Sequence, residues 1–279
     1  VGLIGHPIKQ TYSPFIHNVA FDLKKVDYLY LPFDVPAANL GNAVKGMVAL
    51  GIKGFNVTIP HKVNIMQLMN NISDEAAGVG AVNTVVNDLG RLSGYNTDVY
   101  GILKTLDKHK SILAGKEMTV AGAGGSARAV IYTLIKYFKP AQINIINRTE
   151  QKAEALKKYF SDKMKFEAIK CYELLSSDLV DVFQRSELIV NATPIGMYPE
   201  TDDAVISLEK AFNKEQIVFD LVYNPSKTRL LSIASKQGAK VINGTEMLVN
   251  QASKAFELWT GEIMPVPDII RSLEMMIDT

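Results

Sequence analysis

The segment that most restricts the fold runs from Glu117 to Tyr137. Glu117 to Ala121 has strand character and leads into Gly122-Ala123-Gly124-Gly125-Ser126-Ala127-Arg128, after which an apolar-periodic helix runs from Ala127 to Tyr137. Strand, glycine loop and helix in that order make the opening turn of a doubly wound α/β unit. Gly122 permits the tight turn, Gly124 lets backbone approach a pyrophosphate, and Ala127 is small enough for close helix packing. A phosphate would sit at the helix N-terminus among free N–H groups. A bare glycine motif also serves as a simple strand-to-helix turn, so its context decides.

That context is the end of the next strand. About 20 residues on, an acidic side chain would bind the ribose 2′-hydroxyl of NAD; this chain has Asn147-Arg148-Thr149 there. An Arg clamps a 2′-phosphate with planar, charge-assisted donors, and the missing carboxylate removes a repulsion. Lys152, one helical turn beyond Arg148, adds a second charge. The segment therefore predicts NADP over NAD, against the plainer reading of two solvated charges at a sheet edge.

Short apolar segments alternate with amphipathic ones through all 279 residues, the rhythm of α/β units with largely parallel sheets. In the first half Gly2 to Gly5, Tyr28 to Phe33, Ile52 to Val57 and Ala81 to Val86 read as strands, and Pro14 to Lys24, Asn39 to Leu50 and His61 to Met69 as helices. In the second, Glu117 to Ala121, Gln142 to Ile146, Glu187 to Asn191, Ile217 to Asp220 and Lys240 to Ile242 read as strands. The tail is helical from Met247 to Trp259 and from Asp268 to Met276, with Pro265 and Pro267 between. Such a tail is expected to pack back onto the first domain.

A formal net charge of +1 without a basic stripe argues against nucleic acid as partner. No apolar run approaches the ~20 residues that cross a bilayer, and Val1 to Gly5 lacks a signal-peptide pattern, so no membrane partner and a cytoplasmic location are expected. The start at Val1 implies that a few leading residues are missing. Cys171 is the sole cysteine, which rules out an intrachain disulfide. His6, His17, His61 and His109 show no ligand spacing, so no metal is expected.

Two polar clusters in the first half offer acid–base chemistry. Gly54 to Lys62 places Asn56, Thr58 and Lys62 at the end of an apolar strand. With Pro60 opening a helix, Lys62 would lie in its first turn, where burial and the helix dipole would depress its pKa and a nearby carboxylate would oppose them. Gly94 to Asp98 follows a hairpin through Asn87 to Gly90 and precedes a helical pattern. Taken alone, Asp98 reads equally well as a helix N-cap. Together with Asn83, Lys62 and Asp98 favour chemistry.

The motifs as a set resemble the shikimate dehydrogenase family over nearly the whole chain. Those that carry the resemblance are Gly5-His6-Pro7, Ser13-Pro14, His17-Asn18, Asn56 to Lys62, Gly80 to Thr84, Gly94 to Asp98, Gly122 to Arg128 and Asn147-Arg148-Thr149. Asn191 to Met197, Asp220 to Pro225, and Gly244 to Leu248 with Gln251 complete the set. The resemblance implies reversible NADPH-dependent reduction of 3-dehydroshikimate to shikimate, a step in aromatic amino-acid biosynthesis. It implies Lys62 as proton donor and acceptor, with Asp98 orienting Lys62 and bonding the ring hydroxyls. Thr58, Asn83, Tyr223 and Gln251 would complete the hydroxyl-binding shell.

Thr11 and Ser13 would hold the substrate carboxylate. The family pattern has Ser at both places, so Thr11 leaves the preference between shikimate and the bulkier quinate open. Gly122, Ala123, Gly124, Gly125, Ser126 and Ala127 would take the cofactor diphosphate, and Asn147, Arg148, Thr149 and Lys152 the adenosine phosphate. Thr193, Leu221, Gly244 and Met247 match positions on the nicotinamide side, although Thr193 also reads as loop and Met247 as core.

The expected architecture is a substrate-binding and catalytic α/β domain with a mostly parallel sheet over 1–99 and a Rossmann-like doubly wound NADP-binding domain over 100–246. C-terminal helices over 247–279 return to the first domain, and the whole acts as a monomer or homodimer. The nearest rival is a quinate or mixed quinate/shikimate dehydrogenase, whose NAD-using form Arg148 disfavours. A catalytically silent NADP-binding regulator would be expected to have lost Lys62 or Asp98, and both are present.

Overall fold

The computed structural model describes residues 1–8, 11–174 and 178–277. The chain divides into two compact units, one formed by Val1–Gly101 with the segment from Val249 onward, the other by Ile102–Leu248. Among the described residues no helix is long and apolar enough to cross a membrane.

In chain order the first unit has β1 (Gly2–Gly5), α1 (Ser13–Lys24), β2 (Leu31–Asp34), α2 (Leu40–Ala49), β3 (Gly54–Val57), β4 (Asn71–Ile72), α3 (Asp74–Val79), β5 (Thr84–Asp88) and β6 (Arg91–Tyr95), then α4 (Asp98–Leu106). The sheet order is β2-β1-β3-β5-β6-β4. β2, β1 and β3 are parallel, β5 runs against β3 and β6, and β4 is parallel to β6. The sheet is thus mostly parallel with β5 reversed. Ile4, Phe55, Val57, Val82 and Val85 from its strands and their approaches pack with Val44 and Met47 of α2 into one core.

The second unit continues with α5 (Lys110–Leu113), β7 (Glu117–Ala121), α6 (Gly125–Thr133), β8 (Gln142–Asn147), α7 (Glu150–Met164), β9 (Ile169–Glu173), α8 (Leu179–Gln184), β10 (Leu188–Asn191), β11 (Ile217–Asp220), α9 (Arg229–Lys236) and β12 (Lys240–Ile242). Its sheet, ordered β12-β11-β10-β7-β8-β9, is parallel throughout. Strands covered on both faces read as unbroken apolar runs, and Leu188–Asn191 and Ile217–Asp220 are buried at every residue. Two helices close the chain, α10 (Thr245–Thr260) and α11 (Val266–Ile277). In the first unit, Trp259 of α10 donates its indole N–H to the carbonyl of Val85 at 3.0 Å.

Several elements differ from the sequence reading, for identifiable reasons. The strand expected from Tyr28 begins only at Leu31, because the Asn18 side chain takes both backbone groups of Tyr30, at 2.8 and 3.1 Å. The helix expected over His61–Met69 is a turn followed by a 3-10 segment, Asn64–Leu68. There the N–H groups of His61 and Met66 bond Thr58 and Val63, three residues back, and a single bond four residues back, from Ile65 to His61, does not continue into an α-helix. Lys62 therefore stands in a turn and feels no α-helix dipole. The hairpin at Asn87–Gly90 is present, with the Asn87 side chain accepting from the Gly90 N–H at 2.8 Å.

One core group is expected to make the first unit sensitive to acid. The His17 ring is fully buried and stacks on Tyr30 with centroids 4.4 Å apart. Burial pushes its pKa down from 6.5 to about 3. The unfolded chain thus binds this proton more readily than the folded one, so stability present above pH 6.5 is lost as pH falls towards 3. His17→Phe is expected to flatten the dependence of Tm on pH across that window; an unchanged slope would show that His17 is not responsible.

Candidate active site

The topology of the first sheet gathers polar residues at one edge. β3 and β6 end there and β5, running the other way, begins there, so Thr58 to Lys62, Asn83, and Asn96 to Asp98 meet although they are distant in sequence. β1 ends at the same edge: the Thr58 N–H bonds Ile4 and the His6 N–H bonds Ile59, both at 2.9 Å.

Lys62 Nζ donates to Asp98 Oδ2 at 2.6 Å, and the two side chains are 11% and 6% exposed. The Asn83 amide donates to the other carboxylate oxygen, Oδ1, at 2.9 Å. Asp98 is the first residue of α4, and both of its oxygens serve this cluster. The Lys62 carbonyl accepts from the Val82 N–H at 2.8 Å, which ties its turn to the approach of β5. Gln251, on α10, brings its amide oxygen to 3.4 Å from the Thr97 hydroxyl, with Asn83 Nδ2 at 3.5 Å. Lys62, Asn83, Asp98 and Gln251 thus form one hydrogen-bonded group. It offers an ammonium, a carboxylate and two amides within reach of each other, the inventory that proton transfer on a polyol needs.

Ser13 opens α1, and its backbone N–H donates to the Thr11 hydroxyl at 3.2 Å, which brings the Thr11 side chain to the start of that helix. Thr58 sits half-buried at the end of β3. Tyr223 belongs to the second unit, in the loop after β11.

In the second unit β7 and β8 lie side by side, with Ala121 opposite Ile146 and the Gly122 N–H bonded to Ile146 at 2.7 Å. The glycine loop and Asn147-Arg148-Thr149 are thereby neighbours. Gly122 has φ +115°, and a Cβ there would press on the Ala192 carbonyl at 3.0 Å, so the fold itself demands glycine. Gly124, which caps α6, has ordinary extended backbone, and a Cβ there would meet no protein atom within 4 Å. Gly125 and Ser126 start α6, Ala123 is half-buried in the loop, and Ala127 is fully buried. Arg148 and Lys152 are exposed, Thr149 caps α7, and Asn147 donates to the Thr149 carbonyl at 2.8 Å. Arg128 lies 4.8 Å above the Tyr159 ring.

Of the residues assigned to the nicotinamide side, Thr193 uses its hydroxyl within the loop, donating to Asn191 at 2.7 Å and accepting from the Ile195 N–H at 3.1 Å. Leu221 and Gly244 belong to neighbouring loops, joined where the Gly244 N–H bonds Val222 at 3.2 Å, and Met247 is buried. Asp220 is an organiser that the sequence reading passed over. Its buried carboxylate accepts from Asn191 at 2.9 Å, the Val222 N–H at 3.0 Å and Thr228 at 2.7 Å. Burial raises its pKa to about 6, against the pull of those three donors. The signal was available: a carboxylate that ends an apolar, fully buried strand needs partners.

A doubly wound unit with a glycine loop, in one chain with an α/β unit that holds a buried lysine–carboxylate pair, is the build of a dinucleotide-dependent oxidoreductase. Residues 3–85 match the model of the shikimate dehydrogenase substrate binding domain. Residues 105–229 match that of shikimate / quinate 5-dehydrogenase, and 244–274 that of the shikimate 5′-dehydrogenase C-terminal domain. Shikimate dehydrogenase (NADP+) of Caldanaerobacter subterraneus subsp. tengcongensis is 46% identical over 261 residues, 94% of this chain and 91% of that protein. A crystal structure of a shikimate dehydrogenase in complex with NADP+ is 41% identical with a TM-score of 0.90, covering 99% of this chain and 94% of that one. The structure of shikimate 5-dehydrogenase from Listeria monocytogenes in complex with shikimate and NAD is 38% identical with a TM-score of 0.86, covering 98% and 95%. The chain belongs to the shikimate dehydrogenase family.

Proposed function

We propose that this chain is an NADP-dependent shikimate dehydrogenase, which reversibly reduces 3-dehydroshikimate to shikimate in aromatic amino-acid biosynthesis, with Lys62 and Asp98 as its acid–base pair. The observation that carries the reading is the 2.6 Å contact between Lys62 and Asp98, held on its far side by Asn83. Relatives named shikimate dehydrogenase (NADP+) at 46% and 45% identity support the same reading.

NADPH, when bound, supplies the hydride. The chain's own part is the proton. As the substrate carbonyl is reduced, its oxygen gathers negative charge, and the Lys62 ammonium donates a proton to it; in the oxidation direction the Lys62 amine takes the proton back. Asp98 keeps Lys62 aimed and accepts from ring hydroxyls. Thr58, Asn83, Gln251 and Tyr223 bond the remaining hydroxyls, each of which would be costly to bury unpaired. Thr11 and Ser13 receive the ring carboxylate at the start of α1.

The residues of the second unit fit a dinucleotide phosphate. No side chain caps the start of α6, a helix end that suits an anion, and Gly124 leaves clear space where a side chain would stand. Arg148 and Lys152 would hold the 2′-phosphate, and Asn147 and Thr149 would shape the turn that carries them. Thr193, Leu221, Gly244 and Met247 would line the nicotinamide side. We assign the enzyme to the cytoplasm, as a monomer or homodimer, with the substrate domain over 1–99, the cofactor domain over 100–246 and the returning helices over 247–279.

Initial rates with shikimate and quinate, each against NADP+ and NAD+, test the assignment. Shikimate with NADP+ is expected to give the highest kcat/KM, about tenfold or more above either exchange. Equal or better rates with quinate, or with NAD+, would overturn the substrate or the cofactor assignment respectively. Lys62→Ala is expected to lower kcat by about 10²–10⁴-fold while changing the KM for shikimate little. Unchanged turnover would remove Lys62 from the mechanism.

A further inference from the structure

Behind the Lys62–Asp98 pair lies a line of buried polar side chains for which the proton transfer proposed above has no use. Tyr30 and Thr84 are fully buried, and Asn56 is 5% exposed. Most of their hydrogen bonds admit one direction only; the exception is the contact between the Thr84 and Thr97 hydroxyls, in which either can donate. The backbone carbonyl of Asn83 can only accept, so the Asn56 atom 3.2 Å from it is the amide nitrogen. The Asn56 oxygen then faces the Tyr30 hydroxyl at 2.7 Å, and Tyr30 is the donor. The second proton of the Asn56 amide goes to Thr84 Oγ1 at 3.0 Å.

At the other end, the backbone N–H of Thr97 can only donate, and it lies 2.7 Å from the Asn83 side-chain oxygen. That fixes the Asn83 amide as well. The Thr84 hydroxyl, already accepting from Asn56, has two acceptors for its proton at 3.1 Å, the same Asn83 oxygen and the Thr97 hydroxyl. The Asn83 nitrogen then faces Asp98 Oδ1 at 2.9 Å and the Thr97 hydroxyl at 3.0 Å. With the Thr84 proton on the Asn83 oxygen, the donors from Tyr30 through Asn56, Thr84 and Asn83 run towards the Asp98 carboxylate, and each bond polarises the next.

We propose that Tyr30, Asn56 and Thr84 form a positioning relay that, together with the Thr97 N–H, holds Asn83 in the amide orientation able to support the Asp98 carboxylate, and so keeps Lys62 aimed. The proposal rests on the reading of Lys62 and Asp98 as the acid–base pair. None of the three touches the reacting atoms; they act through Asn83. Their placement follows from the sheet: Asn56 lies in β3, Thr84 opens β5, and the two are register partners in neighbouring strands.

The test compares Thr84→Val, Thr84→Ser and Tyr30→Phe with the parent enzyme and with Lys62→Ala. It reads kcat, the KM for shikimate and for NADP+, the solvent deuterium isotope effect on kcat, and Tm. Thr84→Val keeps the shape and deletes the hydroxyl, and is expected to lower kcat about tenfold and to raise the solvent isotope effect, because a misaimed pair slows proton transfer. The KM for NADP+ should stay unchanged, and Thr84→Ser should restore kcat to within about twofold. Tyr30→Phe removes a single oxygen and is expected to act in the same direction with a smaller loss; it reads the relay even if Thr84→Val fails to fold. If Lys62→Ala is inactive but folded Thr84→Val and Tyr30→Phe change only Tm, the relay is overturned and the acid–base reading stands. If Lys62→Ala retains full activity, both are overturned.

Discussion

The first unit is organised around two opposite charges held together almost out of water. Bringing an ammonium and a carboxylate out of solvent costs several kcal/mol each, roughly, and is repaid only by close geometry and by further hydrogen bonds to the atoms left over. Lys62 and Asp98 meet both conditions: they touch at 2.6 Å, and Asn83 satisfies the second carboxylate oxygen. The sheet topology makes this possible. With β5 reversed between β3 and β6, the ends of two strands and the beginning of a third come to one edge. An all-parallel sheet would have sent Asn83 to the opposite edge.

The second unit follows a different logic. Its sheet is parallel throughout and its central strands β10 and β11 are buried at every residue, so polar residues concentrate where the strands end. Its two loop glycines have different causes. Gly122 is demanded by its own backbone and by Ala192, whereas at Gly124 no protein neighbour forbids a side chain. A requirement for glycine at Gly124 therefore belongs to whatever lies against it, which suits a diphosphate. Asp220 does for the loops after β10 and β11 what Asn83 does for Asp98, tying segments together through a buried polar group.

Much of this was legible in the sequence where the signal is local. The glycine loop, the apolar strands of the second unit and the hairpin at Asn87–Gly90 depend on residues close in sequence, and these were read nearly to their ends. The two-residue β4 and six-residue α3 are too short to show a period, and β9 is a half-buried edge strand without an apolar run. The strand near Tyr28 was overread because Asn18, from α1, replaces its pairing at Tyr30. Lys62 and Asp98 were recognisable as chemistry-bearing types, but their contact spans 36 positions and exists only through the sheet. Thr84 had no signal of its own. A threonine at the start of a strand is ordinary, and its role emerges only from the buried Asn56 and Asn83 side chains that it joins.

The central claim is that the Lys62–Asp98 pair addresses the reacting oxygen of the substrate. A crystal structure of the enzyme with shikimate and NADP+ bound tests it most directly. The account places the shikimate hydroxyl that is oxidised within hydrogen-bond distance of Lys62 Nζ, with Asp98 bonded to Lys62 or to a ring hydroxyl and Asn83 still on the far oxygen. A bound shikimate whose reacting hydroxyl lies away from both side chains, with the pair unmoved, would contradict it.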